Sequence, residues 1–208
     1  MRARIKICGM TRREDVETAA HLGVDAVGLV LYPKSPRYLQ LEQAKTLAEM
    51  APAFITVTGL FLNQAREEVE RVLEHVRVDL LQFHGEETPG FCRSFGRPYI
   101  KAVPMGGGAD LAVFVQRYAD AAGLLLDSHT SGHPGGTGVP FVWSSMPRLA
   151  GPTVILAGGL RADNVAAAIR VVHPYGVDVS SGVESAPGIK DAAKMREFVD
   201  EVNRVTTT

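Results

Sequence analysis

Cys8 and Asp127 are the residues of this chain best suited to acid–base chemistry. Cys8 ends the run Arg4-Ile5-Lys6-Ile7-Cys8, and Asp127 ends Leu124-Leu125-Leu126-Asp127. Each closes an apolar, strand-like segment, so each stands where a strand gives way to a loop. A thiol two residues after Lys6 and just ahead of a helix start is drawn towards the thiolate, a base. A carboxyl at a buried strand end is held towards its neutral form, an acid. The plainer readings are a small core thiol for Cys8 and a loop cap on backbone amides for Asp127. Cys92, behind Phe91 in a helical pattern, reads as core.

Two such groups cooperate only if the elements behind them bring both to one place. Short β-rich runs recur at residues 3–8, 26–31, 54–60, 79–83, 99–103, 123–127, 152–157 and 176–180. Helical patterns follow near 12–22, 40–51, 64–76, 88–94, 109–120, 140–147, 163–172 and 190–204. Thr11 with Glu14 predicts a capping box for the first helix, and Asn63 a cap for the third. Thr88-Pro89 predicts a capped start with proline in the first turn. Alternating strands and helices imply a parallel sheet, and eight such units with no sign of a second domain predict a single α/β (β/α)8 barrel over 1–208. The alternative is an open doubly wound sheet, whose phosphate signal is a glycine-rich turn after the first strand; here that turn, Cys8-Gly9-Met10-Thr11, has one glycine. In a barrel, Lys6, Cys8, Asp178 and Ser180 face inward, and neighbouring strands one and eight predict a Lys6–Asp178 pair beneath Cys8.

Further residues suit substrate binding. Gly158-Gly159 and Ser180-Ser181-Gly182 follow the last two strands and offer backbone N–H groups and hydroxyls to a phosphate. Arg37, after Pro33-Lys34-Ser35-Pro36, reads either as a carboxylate clamp or as a solvated surface arginine. His84 follows Gln82 at the end of strand four and either hydrogen-bonds substrate or packs at the turn. The polar stretch 128–139 reads as a mobile active-site loop, with His129 and His133 solvated and Trp143 anchoring the helix behind it.

The composition excludes several classes. The chain has 208 residues, a net charge of −1, 46% hydrophobic and 22% charged residues. A near-neutral balance gives no support for a nucleic-acid partner. No apolar run is long enough for a membrane span, and the start lacks a signal-peptide pattern. Two cysteines argue against a disulfide framework and for a reducing cytoplasm. No cysteine–histidine cluster has zinc-ligand spacing, so no metal site is expected.

Six ordered blocks carry a resemblance. Lys6-Ile7-Cys8-Gly9-Met10-Thr11, Tyr32-Pro33-Lys34-Ser35-Pro36-Arg37-Tyr38, Gln82-Phe83-His84-Gly85, Pro134-Gly135-Gly136-Thr137-Gly138, Leu156-Ala157-Gly158-Gly159-Leu160 and Asp178-Val179-Ser180-Ser181-Gly182-Val183-Glu184 resemble phosphoribosylanthranilate isomerase. The likeness covers essentially the whole chain. It implies a (β/α)8 barrel of tryptophan biosynthesis acting on a small phosphorylated substrate, without metal, nicotinamide or flavin. Cys8 falls on the general base, Asp127 on the general acid, Arg37 on the group that meets the anthranilate carboxylate, and the two glycine turns on the phosphate site. The chain departs at Phe83, where leucine is common, at Val142, where aspartate usually precedes the tryptophan, and at Ala162, where proline is common. Rival readings are another phosphosugar barrel enzyme, a barrel that binds a phosphorylated metabolite without turnover, and a structural subunit. Monomer and homodimer both remain open.

Overall fold

The computed structural model describes residues 2–128 and 153–205. The expectations for His129, His133, Trp143, the 134–138 block, Val142, the helix near 140–147 and nearly all of the 128–139 loop lie outside the described residues.

Eight parallel strands close into a barrel in sequence order. They are β1 (Arg4–Cys8), β2 (Ala26–Val30), β3 (Thr56–Phe61), β4 (Leu80–Phe83), β5 (Tyr99–Pro104), β6 (Gly123–Asp127), β7 (Val154–Leu156) and β8 (Gly176–Val179). Closure comes from β1 pairing with β8, in a register that sets Lys6 opposite Asp178. Strand alternation divides the side chains between two cores. Ile100, Ala102, Leu125 and Ala157 form a small inner cluster. Ile5, Ile7, Leu124, Leu126, Val177 and Val179 belong to the larger cluster beneath the helices. Strands buried on both faces read as nearly continuous apolar runs, which is why β6 is Gly-Leu-Leu-Leu-Asp.

The helices are α1 (Arg13–His21), α2 (Leu41–Met50), α3 (Arg66–His75), α4 (Pro89–Arg93), α5 (Leu111–Arg117), α6 (Ala162–Val172) and α7 (Ala192–Arg204). In α7 the buried residues Met195, Phe198, Val199 and Val202 recur at helical spacing and seal the helix to the barrel. Burying each contributes on the order of 1.5–3 kcal/mol. Thr88 caps α4 by accepting from the Phe91 amide, with Pro89 in the first turn.

Two caps differ from expectation. Arg12 is the N-cap of α1, without a side-chain cap bond. Thr11 instead donates to the Gly188 carbonyl, a long-range contact that a local motif does not reveal. Asn63 lies two residues before Ala65, the N-cap of α3. It adopts a positive φ of 52°, and its Oδ1 accepts from the Glu86 amide at 2.7 Å. It therefore ties the loop after β3 to the loop after β4. A further element was not anticipated: an antiparallel hairpin of β9 (Glu184–Ala186) and β10 (Ile189–Lys190) between β8 and α7. Its strands are three and two residues long, too short for a periodic signal. Among the described residues no helix is long and apolar enough to cross a membrane.

Candidate active site

Cys8, Gln82, His84, Asp127, Asp178 and Ser180 converge at the C-terminal mouth of the barrel. With Tyr32, Ser35 and Arg37 they line a cavity of about 90 Å³. Strand ends at this face are where barrel enzymes keep their chemistry. The four reactive side chains are desolvated: Cys8 is 5% exposed, Asp127 7%, Asp178 8% and His84 9%.

Cys8 has room only because its neighbour is glycine. It pairs with Gly28 on β2, and a Cβ at Gly28 would lie 2.6 Å from the Cys8 sulfur. Below it, Lys6 Nζ bonds Asp178 Oδ1 at 2.9 Å, the pair that strand alternation predicts. Burial alone would push Lys6 down, but Asp178 and then the Cys8 sulfur push it up, and the ammonium stays charged. The expected lowering of the thiol is corrected. Burial pushes Cys8 above its ordinary 9.0; Lys6 pulls it down, Asp178 pushes it up, Lys190 pulls it down, and burial prevails. The physical reason is that burial outweighs the Lys6 ammonium, whose pull on the sulfur is opposed by the Asp178 carboxylate beside it. Cys92, by contrast, is a core thiol in α4, pushed up to about 12 chiefly by burial.

Asp127 ends β6 with His84 beside it: His84 Nε2 is 3.2 Å from Asp127 Oδ2. On the other side of the ring, Gln82 Nε2 faces His84 Nδ1 at 3.1 Å. The two ring nitrogens thus face Asp127 and Gln82 from opposite sides. The loop beyond His84 is pinned from below. The Glu87 carboxylate accepts from the Asn63 amide at 2.7 Å and the Gly85 amide at 3.0 Å. It also pairs with buried Lys101 at 3.3 Å.

Arg37 is not a solvated surface arginine. Its side chain is 13% exposed, and its Nη2 lies 2.7 Å from Glu184 Oε2. Both glycine turns follow strand ends at this same face of the barrel. Gly158 and Gly159 take φ of +79° and +68°, which glycine alone adopts without strain. The turn precedes α6, and the Asn164 amide holds the Gly159 carbonyl at 2.9 Å. Ser181–Val183 form a short 3₁₀ turn after Ser180, whose first amides have no acceptor within the turn. The two turns touch: a Cβ on Gly182 would lie 1.9 Å from the Leu160 carbonyl oxygen. They form one contiguous backbone surface able to hold an anion. Among the described residues no group of three or more histidine, cysteine, aspartate or glutamate side chains could hold a metal ion.

Residues 5–201 match the family model of N-(5'-phosphoribosyl)anthranilate (PRA) isomerase. The chain belongs to this family. It is an isomerase of the intramolecular aldose–ketose class. The N-(5'-phosphoribosyl)anthranilate isomerase of Azotobacter vinelandii is 54% identical over 96% of this chain and 97% of its own length. The phosphoribosyl anthranilate isomerase of Thermotoga maritima superposes with a TM-score of 0.89 at 37% identity, over 98% of this chain and 100% of its own. A further phosphoribosyl anthranilate isomerase, solved in complex with reduced 1-(o-carboxyphenylamino)-1-deoxyribulose 5-phosphate, superposes with a TM-score of 0.82 at 35% identity. That match covers 98% of this chain and 100% of the other.

Two departures from the family pattern have local explanations. Phe83 is fully buried and sits among Phe61, Phe91, Phe95 and Tyr99 at ring separations of 5.8–6.0 Å. The larger ring fills an aromatic cluster outside the barrel, away from the mouth. Ala162 is the first residue of α6, a position where proline suits but alanine forms helix equally readily. Gly28, Glu184 and Lys190 at this site were missed. Gly28 and Lys190 carry no local motif, and Glu184 stood in a quoted block without a role; Gly28 lies 20 residues from Cys8, Glu184 147 from Arg37 and Lys190 182 from the Cys8 carbonyl it binds.

Proposed function

We propose that this chain, as one barrel domain, catalyses the Amadori rearrangement of N-(5-phosphoribosyl)anthranilate, a step of tryptophan biosynthesis, with Cys8 as general base and Asp127 as general acid. One observation carries the reading: a buried thiol, a buried carboxyl and a guanidinium line the same cavity, and two glycine turns follow the adjacent strands β7 and β8. Asp127 gives its proton to the ribose ring oxygen, and the ring opens to an iminium. The iminium acidifies the hydrogen on the neighbouring sugar carbon. The Cys8 thiolate takes that proton, and the resulting enolamine tautomerises to the ketone. His84 steers the Asp127 carboxyl. Arg37 meets the anthranilate carboxylate, and Gly158, Gly159, Ser180, Ser181 and Gly182 seat the phosphate, whose binding energy positions the sugar.

A raised thiol is compatible with this role. Burial makes the thiolate rarer but a stronger base, which a carbon acid requires, and the adjacent iminium cation favours it during reaction. The test is a coupled assay in which a transferase makes the labile substrate in place from anthranilate and phosphoribosyl pyrophosphate, followed by loss of substrate fluorescence. Cys8→Ala and Asp127→Asn should each lower kcat by about 10²–10⁴-fold with unchanged circular dichroism. A near-normal rate in either purified variant removes that residue from the mechanism. Arg37→Ala should chiefly raise KM.

A further inference from the structure

Arg37 is held along one edge before any substrate arrives. Its Nε donates to Glu184 Oε1 at 2.8 Å and its Nη2 to Glu184 Oε2 at 2.7 Å. Its aliphatic stem lies against Gly9, where a Cβ would be 2.4 Å from Arg37 Cδ. Glu184 is 8% exposed and is itself fixed from behind. Lys190 Nζ, on the partner strand of the hairpin, donates to Glu184 Oε1 at 2.8 Å, to the Cys8 carbonyl at 2.6 Å and to the Ser180 carbonyl at 3.2 Å. Lys194 Nζ donates to the Glu184 carbonyl at 2.7 Å. The β9–β10 hairpin thus joins the end of β1, the Arg37 loop and the turn after β8.

A guanidinium has five N–H donors in a rigid fork. Glu184 occupies the Nε–Nη2 edge, which, among the described residues, leaves the end-on Nη1–Nη2 edge for a second carboxylate. We propose that Glu184, locked by Lys190, is the positioning residue that aims this free edge of Arg37 at the aryl carboxylate of the substrate. The inference rests on Arg37 being the carboxylate clamp. A carboxylate at 184 would by itself repel a second carboxylate. The geometry answers this, because Lys190 and Arg37 together carry one positive charge more than Glu184, and each oxygen of Glu184 already accepts a charged donor. Preordering removes the loss of side-chain freedom that a loose arginine suffers on binding.

The test compares two stable probes: reduced 1-(o-carboxyphenylamino)-1-deoxyribulose 5-phosphate and its counterpart without the ring carboxylate. For Glu184→Gln, competitive inhibition by the carboxylated probe should weaken about tenfold or more, while that by the other probe changes less than about threefold. Turnover should show KM rising more than kcat falls. If Arg37→Ala leaves both probes unaffected, the clamp reading itself fails. If Arg37→Ala abolishes the preference for the carboxylated probe but Glu184→Gln retains it, or if Glu184→Gln weakens both probes equally, the positioning role is overturned. Should Glu184→Gln not fold, Glu184→Asp, which keeps the charge but draws it back by one methylene, must show the same selective loss.

Discussion

A sulfur buried beside a committed lysine is a strong base present in small amount. Burial holds the Cys8 thiol above 9.0, so the reactive thiolate should increase with pH through the neutral range. We expect alkylation of Cys8 by iodoacetamide, which reads the thiolate alone, to accelerate about tenfold per pH unit between about pH 7 and 9. A flat alkylation profile would mean that the sulfur is already ionised at neutral pH. The position of that sulfur depends on a missing side chain. Gly28→Ala would set a methyl 2.6 Å from it, in contact with a side chain wedged among Lys6, Asp178 and the barrel wall. The variant should fold, lose more than about tenfold in kcat, and leave phosphate affinity nearly unchanged. Loss of phosphate affinity in equal measure would show that the whole mouth, not the thiol, had moved.

Strands and helices bring these groups together through pairs that no single element contains. Lys6 on β1 and Asp178 on β8 join the first and last strands where the barrel closes, and both are nearly dry, at 6% and 8% exposure. Removing one partner strands a buried charge. Asp178→Leu and Lys6→Met should each cost about 3–5 kcal/mol, while the double change Lys6→Met with Asp178→Leu should recover much of that loss. Denaturant midpoints decide the matter: additive losses would mean that the two groups act separately. At the other end of the chain, Asp191 caps α7 by accepting from the Ala193 and Lys194 amides. Asp191→Ala should cost about 1 kcal/mol in thermal unfolding and leave kcat unaltered, since its two bonds serve the helix alone.

For the molecule as a whole, the buried charges set a window of pH stability. Burial pushes the Asp25 carboxyl up, but Arg2, the Ile5 amide and Arg4 outweigh it, so it lies below 3.8 in the folded chain. Burial likewise opposes Glu184, and Arg37 and Lys190 hold it below 4.5. Depressed carboxyls contribute stability that is complete above their unfolded values and lost as pH falls through the folded ones. Acid unfolding should therefore begin below about pH 4.5 and move upward in Glu184→Gln. The raised Cys8 thiol has the opposite sign. Its contribution is complete below 9.0 and disappears as pH rises through the folded value. Melting temperatures above pH 9 should fall more in the parent chain than in Cys8→Ala, and parallel declines would contradict the assigned direction.

The alternating pattern of short apolar runs and amphipathic helices was enough to count eight strands and close them into a barrel, because period and length are local properties that each described unit repeats. Strand alternation was also enough to pair Lys6 with Asp178, since closure makes β1 and β8 neighbours. The ends of Thr11 and Asn63 were not legible, because both side chains bond across to other loops rather than to their own helices. Nor was the hairpin that carries Glu184 and Lys190, whose strands are shorter than any period can register. Local order therefore singled out the Cys8 thiol and the Asp127 carboxyl as candidates. Only the tertiary structure decided how charged the thiol is and which edge of Arg37 stays open, because desolvation and ion pairing arise from atoms up to 182 residues away.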